Sequence, residues 1–421
     1  MIYDTIIIGA GAAGLFYGAN DTEKENNLKD SNHSRNKLIL EKTGKPGLKL
    51  LMSGKGMCNI THGGSIKDFL QHYGEKGNKV RSCLYRNNNQ KLMSFLEDGG
   101  IPLLEREDGK IFPRSLNSRD ILDLLLNRTR ANGYDLRANS EVTDMEIVEE
   151  SSVSVGGDSV SDETSSSKIL VTLRDKTILA TKRLIIATGG ASYPSTGSDG
   201  SFMKIIERSL KIDITPLRPA LSPIYVQNYN YGNLSGISFE QATVRSGKHQ
   251  TQGPLLLTHK GFSGPAILHL SQYVKAGDEL IINFMGTMDF NSLLSLLKRK
   301  QHGNNRGISN FLSQEFALPK AFADSLATKP ASKFSSAKPQ ELEAIARNLT
   351  EASFSVSGVG GFKEAMVTAG GVALHEVDLK TMRLFKYPQI NVIGEALDIN
   401  GDTGGYNLQF AYSSAMAALS I

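Results

Sequence analysis

The sequence predicts an α/β protein: a dinucleotide-binding, Rossmann-like domain interrupted by an inserted β-barrel and a small helical subdomain. Three observations predict it. A glycine-rich turn joins an apolar strand to a helix at the N-terminus, strand–glycine segments return near residues 183–190 and 390–405, and the texture changes in between.

The first element is the β-branched run Asp4-Thr5-Ile6-Ile7-Ile8, which ends in Gly9-Ala10-Gly11-Ala12-Ala13-Gly14 and continues as LFYGA. Strand, G-x-G-x-x-G and helix in that order form a pyrophosphate cradle. Gly9 permits the tight turn, Gly11 lets the backbone approach the phosphates, and Gly14 lets helix and strand pack closely. The helix start at Ala12 and Ala13 offers N–H groups and a partial positive charge.

A second strand, Lys37-Leu38-Ile39-Leu40, ends in Glu41 and Lys42, both candidate cofactor contacts, and the acid is placed to bond a ribose hydroxyl. Residues 20–36 before it and 149–168 further on are polar, Ser/Asn/Gly-rich and without apolar periodicity, and read as exposed insertions. Between them, Arg119 to Arg130 has helical spacing; Lys168 to Leu173 and Arg183 to Ala187 read as strands. The backbone near Val142 is a candidate for the adenine.

Whether the dinucleotide is NAD or FAD is not decided by the first motif. The strand ending in Ala187-Thr188-Gly189-Gly190 favours FAD, and so does the C-terminal segment. There Ile390 to Ile393 reads as a strand ending in Gly394-Glu395, and Asp402-Thr403-Gly404-Gly405 opens a helix near Tyr406. Glu395 and Asp398 are expected by a ribityl chain. Gly405, Tyr406, Asn407 and Leu408 are expected at the edge of a flavin where reduction builds negative charge.

From about Pro216 to Phe284 short alternating runs (SPIYVQ, ISFEQATV, GPLLLTH, DELIINF) predict a small antiparallel sheet or barrel. Asn291 to Asn348 turns helical and basic. The expected division is 1–200 with 362–421 as the cofactor domain, 201–288 with 349–361 as the barrel, and 289–348 as the helical piece.

Taken together, IIIGAGAAGL, KLLMSGKGMCNIT, ATGGASYPSTGSDG, THKGFSGPAIL, TAGGVALHEVD and GEALDINGDTGGYNLQFA resemble the BaiN/RdsA-like NAD(P)/FAD-dependent oxidoreductases, also called the aminoacetone oxidase family of FAD-binding enzymes. The resemblance covers nearly the whole chain. It implies an FAD domain of the two-dinucleotide-binding kind in separated pieces, and it lays the Gly44–Gly64 loop against the FAD through Lys49, Ser53, Gly54, Lys55 and Asn59. Met57 stands where the family usually has arginine, and His62 where it usually has asparagine.

That loop admits two other readings, and neither holds: one fails on spacing, the other on the number of ligands. A P-loop needs Gly five positions before Gly54 and Ser or Thr after Lys55, where this chain has Lys49 and Gly56. Cys58 and His62 alone are too few ligands for structural zinc, so no metal is expected.

The totals bound the chemistry. The chain has 421 residues, with 47 lysines and arginines against 43 aspartates and glutamates, a formal net charge of +4. This suits an anionic ligand, while the absence of a dense basic run counts against nucleic acid. Two cysteines, Cys58 and Cys83, form no disulfide framework and point to a reducing, cytoplasmic location. The apolar Thr5–Ala19 stretch is shorter than a membrane span, so no membrane association is expected. Oligomeric state is not set by the sequence.

Three functional classes follow. The first is an FAD-dependent oxidoreductase of a small molecule, either reducing an activated C=C bond with NAD(P)H as transient donor or oxidising an amine with O₂. The second is a flavin-dependent RNA-modifying enzyme, and the third a non-catalytic FAD-binding redox sensor using Cys58. No motif names a proton donor. Lys55, His259, His375 and Tyr406 are candidates by residue chemistry alone.

Overall fold

A computed structural model of the chain describes residues 2–22, 36–149 and 167–420. The polar stretches expected as insertions at 20–36 and 149–168 lie largely outside the described residues. Two compact units form: residues 1–218 with 367–421, and residues 219–366.

The first unit is organised by a sheet in the order Val377–Asp378, Arg383–Leu384, Ile390–Val392, Ile178–Ile186, Ile2–Ile8, Lys37–Leu40, Tyr134–Arg137. Its four central pairings are parallel, with Ile6 between Leu38 and Leu184, and Leu184 beside Ile390. Ile6, Ile7, Leu38, Ile39, Leu184, Ile185, Ile390 and Val392 are all fully buried. Continuous apolar runs of this kind are what a sheet covered on both faces requires.

The first helix, Ala12–Asn20, packs against Ser118–Ala131 and the C-terminal helix Tyr406–Leu419. Gly18 permits the closer approach: a Cβ there would lie 2.9 Å from the Thr129 methyl. Val142–Glu149 and Ser167–Leu173 form an antiparallel meander that joins the sheet through Ile178–Thr181. Helix Ser201–Leu210 packs on this meander through a face carrying Phe202, Met203, Ile206 and Leu210. Residues 201–218, expected with the barrel, thus lie in the first unit, and residues 362–366, expected with the cofactor domain, lie in the second.

The second unit contains a closed six-stranded antiparallel barrel, ordered Ile224–Val226, Gly261–Ser263, His249–Leu257, Ser238–Ser246, Glu279–Asn283, Ala352–Val359. Closure removes the exposed edges that short strands would otherwise present. Helices Phe290–Gln301, Ile308–Glu315, Lys320–Ser325 and Pro339–Thr350 follow within the same unit. Their buried Leu293, Leu297, Phe311, Phe322, Leu342 and Ile345 share one apolar core with barrel residues such as Phe239, Phe262 and Phe284. The helical piece is therefore not separately cored.

Among the described residues, no helix is long and apolar enough to cross a membrane.

Candidate functional site

The three glycines of the first motif have different physical reasons. Gly9 lies at φ 102°, and a Cβ there would sit 2.5 Å from the Ala187 carbonyl oxygen. At Gly14 it would sit 2.1 Å from the Gly9 carbonyl oxygen. Those two are required by the fold. Gly11 is different: its backbone is ordinary, φ −78° and ψ −173°, and a Cβ would meet nothing within 4 Å. Its missing side chain leaves open space at the start of the first helix, whose N-terminus has neither a side-chain cap nor an acidic residue in its first turn.

Glu41 turns its carboxylate toward this turn. Oε2 accepts from Ala10 N at 2.9 Å, and Oε1 from Thr43 N and Oγ1, each at 2.8 Å. Four lone-pair sites on a carboxylate leave Oε2 able to accept one further donor. The Ser140 N–H donates to Glu41 O at 2.8 Å, which sets the strand beginning at Val142 next to the same sheet end. Lys42 turns away: its ammonium meets Asp199 at 2.6 Å and Glu141 at 3.2 Å.

Three distant segments converge on Glu395. Its Oε2 accepts from Lys49 Nζ at 2.6 Å, and Oε1 from Ser192 Oγ at 3.0 Å and Thr368 N at 2.7 Å. Lys49 also meets Ser192 Oγ at 2.6 Å. Thr368 Oγ1 accepts from the N–H groups of Ala191 and Ser192. The ATGG turn is thus stitched to the Gly44–Gly64 loop and to the C-terminal segment. Gly189 (φ 70°) lies near Ser198, and Gly190 against Thr368; a Cβ at Gly190 would lie 2.4 Å from Thr368 Oγ1. Gly394 (φ 64°) rests on Ala13, where a Cβ would come within 2.7 Å of the alanine methyl. Asp398 accepts from Gly370 N at 2.9 Å and pairs with Lys76.

The loop 53–59 is folded tightly. Gly54 and Lys55 are both left-handed, Ser53 Oγ donates to Leu50 O at 2.7 Å, and Lys55 is exposed. With its amide oriented to suit its neighbours, Asn59 donates to Ile111 O and Thr61 O and accepts from Gly405 N at 3.2 Å. Gly405, at φ 94°, is packed so closely that a Cβ would lie 2.5 Å from Thr61 Cα. Loop and C-terminal helix therefore meet backbone to backbone, and that helix also begins without a side-chain cap. Asn407 closes the turn before it by bonding Gly401 N and O, each at 2.8 Å, while Leu408 lies half-buried in the first turn.

Tyr406 lies between two histidines. His72 stacks on it at 4.0 Å between ring centroids and His62 at 5.5 Å, both tilted by 16°. Burial pushes the Tyr406 phenol well above its ordinary range. His72 Nδ1 lies 3.0 Å from Asp402 Oδ2, and its Nε2 has no hydrogen-bond partner among the described residues. Sequence reasoning missed this pair, whose members are 330 positions apart and belong to no local motif.

The other candidates lie elsewhere. His259 is exposed on a barrel loop of the second unit. His375 is exposed and meets Asp213 at 3.0 Å and Glu376 at 3.8 Å. These three could offer ligand atoms within 4.8 Å of one another, but Glu376 already accepts from Asp213 N.

The two cysteines are buried and free, and burial raises the Cys58 thiol to about 11. At pH 8 only about one molecule in a thousand carries the reactive thiolate. Iodoacetamide should leave Cys58 unlabelled in native protein and label it after denaturation. Rapid native labelling would restore the thiol-sensor reading.

The residues fit a bound dinucleotide by observations independent of any motif. Among the described residues, nothing occupies the space that Gly11 leaves open, and Thr188 Oγ1, on the turn facing Gly9, is buried without a hydrogen-bond partner. A buried hydroxyl of that kind is normally satisfied. A parallel sheet, a glycine turn and a C-terminal helix start converging on one end define a Rossmann-type, dinucleotide-binding protein.

The particular family is set by comparison. The profile described as "HI0933-like protein Rossmann domain" matches residues 3–420, and the chain belongs to that family, the BaiN/RdsA-like flavoproteins. Its relatives include the ribosomal RNA dihydrouridine synthase of Escherichia coli (strain K12), 29% identical over 99% of this chain and 96% of that protein. The protein of the same description in Haemophilus influenzae is 29% identical over 99% of this chain and 98% of its own length. The 3-dehydro-bile acid delta(4,6)-reductase of Clostridium scindens is 24% identical over 98% of this chain and 97% of that protein.

Proposed function

We propose that this protein reduces the conjugated C=C bond of a uracil base in RNA, with NAD(P)H as electron donor. The observation that carries this reading is its end-to-end similarity to two ribosomal RNA dihydrouridine synthases. The bile-acid reductase is compatible in chemistry, because both names describe saturation of a C=C bond. A dihydrouridine is a uridine whose ring C=C, conjugated with a carbonyl, has gained two hydrogens.

Such a saturation needs a hydride at the far carbon and a proton at the carbon beside the carbonyl. When bound, FAD would supply the hydride, with NAD(P)H as the electron source. Within the first unit, Gly9, Gly11, Ala12, Ala13 and Gly14 would hold the pyrophosphate, Glu41 the adenosine ribose, and Val142 the adenine. Thr188, Gly189 and Gly190 would line the cofactor, with Gly394, Glu395 and Asp398 toward the ribityl chain. Lys49, Ser53, Gly54, Lys55 and Asn59 would close the loop over it, and Gly405 to Leu408 would face the pyrimidine edge.

The protein's own proton source in this reading is His72. Asp402 holds the Nδ1 proton and fixes the ring, so Nε2 is the atom that takes up and releases a proton. Stacking on Tyr406 holds the ring at the start of the C-terminal helix. Positioned general acids contribute about a hundredfold to ten-thousandfold. His72→Gln should therefore slow reoxidation of the reduced protein by a uridine-containing RNA at least about a hundredfold, while NAD(P)H still bleaches the flavin. Reoxidation at the wild-type rate would remove His72 from the mechanism.

The reading as a whole is tested by anaerobic reduction with NAD(P)H followed by mixing with a ribosomal RNA transcript. Rapid reoxidation supports it. Reoxidation by a conjugated steroid enone and not by RNA would favour the small-molecule reading, which the 24% identical reductase supports.

A further inference from the structure

The charge of this chain is unevenly placed. Residues 289–348 hold nine lysines and arginines against five aspartates and glutamates, which accounts for the whole net charge of +4. Within 298–338 the imbalance is eight against two. Both acids there are already engaged: Glu315 by Lys300 at 3.0 Å and Arg306 at 3.9 Å, and Asp324 by Lys320 at 3.1 Å. Lys298, Arg299, Lys329, Lys333 and Lys338 are exposed and have no carboxylate within ion-pair distance among the described residues.

The backbone brings most of these cations to one edge. Phe290–Gln301 ends in Lys298, Arg299 and Lys300, and the Gln301 side chain donates to Ala337 O at 2.6 Å, next to Lys338. Gly307 pairs antiparallel with Lys333, Phe334 N donates to Arg306 O at 2.8 Å, and Ser335 N to Asn304 O at 2.9 Å. Beneath that edge the buried rings of Phe311 and Phe334 stack at 3.9 Å, which fixes the two segments together.

Helix stabilisation explains only part of this pattern. Cations in the last turn of Phe290–Gln301 complement the helix dipole. Lys338, however, is the N-cap of Pro339–Thr350, where a cation opposes the dipole and supplies no capping acceptor. Its charge adds to the positive potential of the helix start, which suits an anion outside the protein.

We propose that this edge of the helical subdomain, centred on Lys298, Arg299, Lys333 and Lys338, is a docking surface for the phosphate backbone of RNA. The proposal rests on the RNA reading above and adds where the polymer is held. A backbone contact of this kind is sequence-independent and salt-sensitive, leaving base recognition to the flavin site.

The test uses the full-length holoprotein and a fluorescent ribosomal RNA transcript titrated at several potassium chloride concentrations. Lys298, Arg299, Lys333 and Lys338 are all changed to glutamine in one variant. A control variant carries Lys176, Lys204, Lys211 and Lys380→Gln, exposed positions in the first unit. The edge variant should bind at least about tenfold more weakly at physiological salt, and its log Kd against log salt slope should shrink by about 3. The control should lose far less. A Lys298→Gln, Arg299→Gln pair gives a milder version, with a slope change of about 1.5 to 2, if the fourfold variant fails to fold.

Equal losses in edge and control variants, or none in either, would overturn the docking surface. If the transcript still reoxidises the reduced wild-type protein, the RNA reading survives that failure. If wild-type protein neither binds the transcript nor is reoxidised by it, both fail. Loss of affinity for anionic vesicles with unchanged affinity for RNA would also overturn the proposal, reassigning the edge to a membrane surface.

Discussion

Gly11→Val yields a folded, colourless protein. The native Gly11 backbone lies in a region valine adopts readily, and apart from its chain neighbours no atom of the described residues lies within 4 Å of the added Cβ. The fold therefore has little to lose, and the thermal midpoint should stay within about 3 °C of the parent stripped of its flavin. In the cofactor placement proposed above, the side chain fills the space of the pyrophosphate, so flavin content should drop from about one per chain to below about a tenth. Absorbance of the purified variant reads the second quantity and circular dichroism melting the first. A variant that keeps its full flavin complement places the phosphates elsewhere.

Gly14→Ala should fail in the opposite manner. One methyl group at this position lies 2.1 Å from the Gly9 carbonyl oxygen, with the Ile7 and Ala187 side chains at 3.2 and 3.3 Å. The obstacle is backbone, and Gly9 is itself fixed by its hydrogen bond to Leu40 O at 2.8 Å and by close approach to Ala187. Relief requires moving the first helix off the sheet, exposing residues such as Leu15 and Phe16 that are now wholly buried. A loss of about 3 kcal/mol or more is expected, from overpacking and helix displacement together. Urea unfolding measures it, and a variant as stable as the parent would contradict this packing. Two glycines three positions apart thus separate binding from folding.

Much of the fold was legible because its signals are local. Apolar strands that end in glycines mark the parallel sheet, and alternating runs separated by Gly, Asn and Pro mark the barrel. Helix Ser201–Leu210 was placed in the wrong unit for a physical reason: its amphipathic spacing shows that it buries a face, not which surface covers that face. The same limit explains the helical piece, whose periodicity gave its helices but not the core it shares with the barrel.

Motif and geometry coincide at Gly9 to Gly14, Glu41 and Glu395: the spacing that marks these residues in the sequence also brings them to one end of the sheet. Lys42 sits in the right place in the chain, but its side chain is drawn to Asp199 and Glu141. The network of Lys49, Ser192, Thr368 and Glu395 spans 346 positions, and the His72–Asp402 pair 330. Contacts that distant leave no periodicity to read and come into view only when the chain folds.

The central claim is most directly tested on RNA itself. A ribosomal RNA transcript, incubated anaerobically with the flavin-loaded protein and NAD(P)H, is digested to nucleosides and analysed by mass spectrometry. A uridine converted to dihydrouridine, absent without NAD(P)H and formed at least about a hundredfold more slowly with His72→Gln, is the expected result. A transcript whose uridines all remain unsaturated, with protein that NAD(P)H has fully reduced, would contradict it.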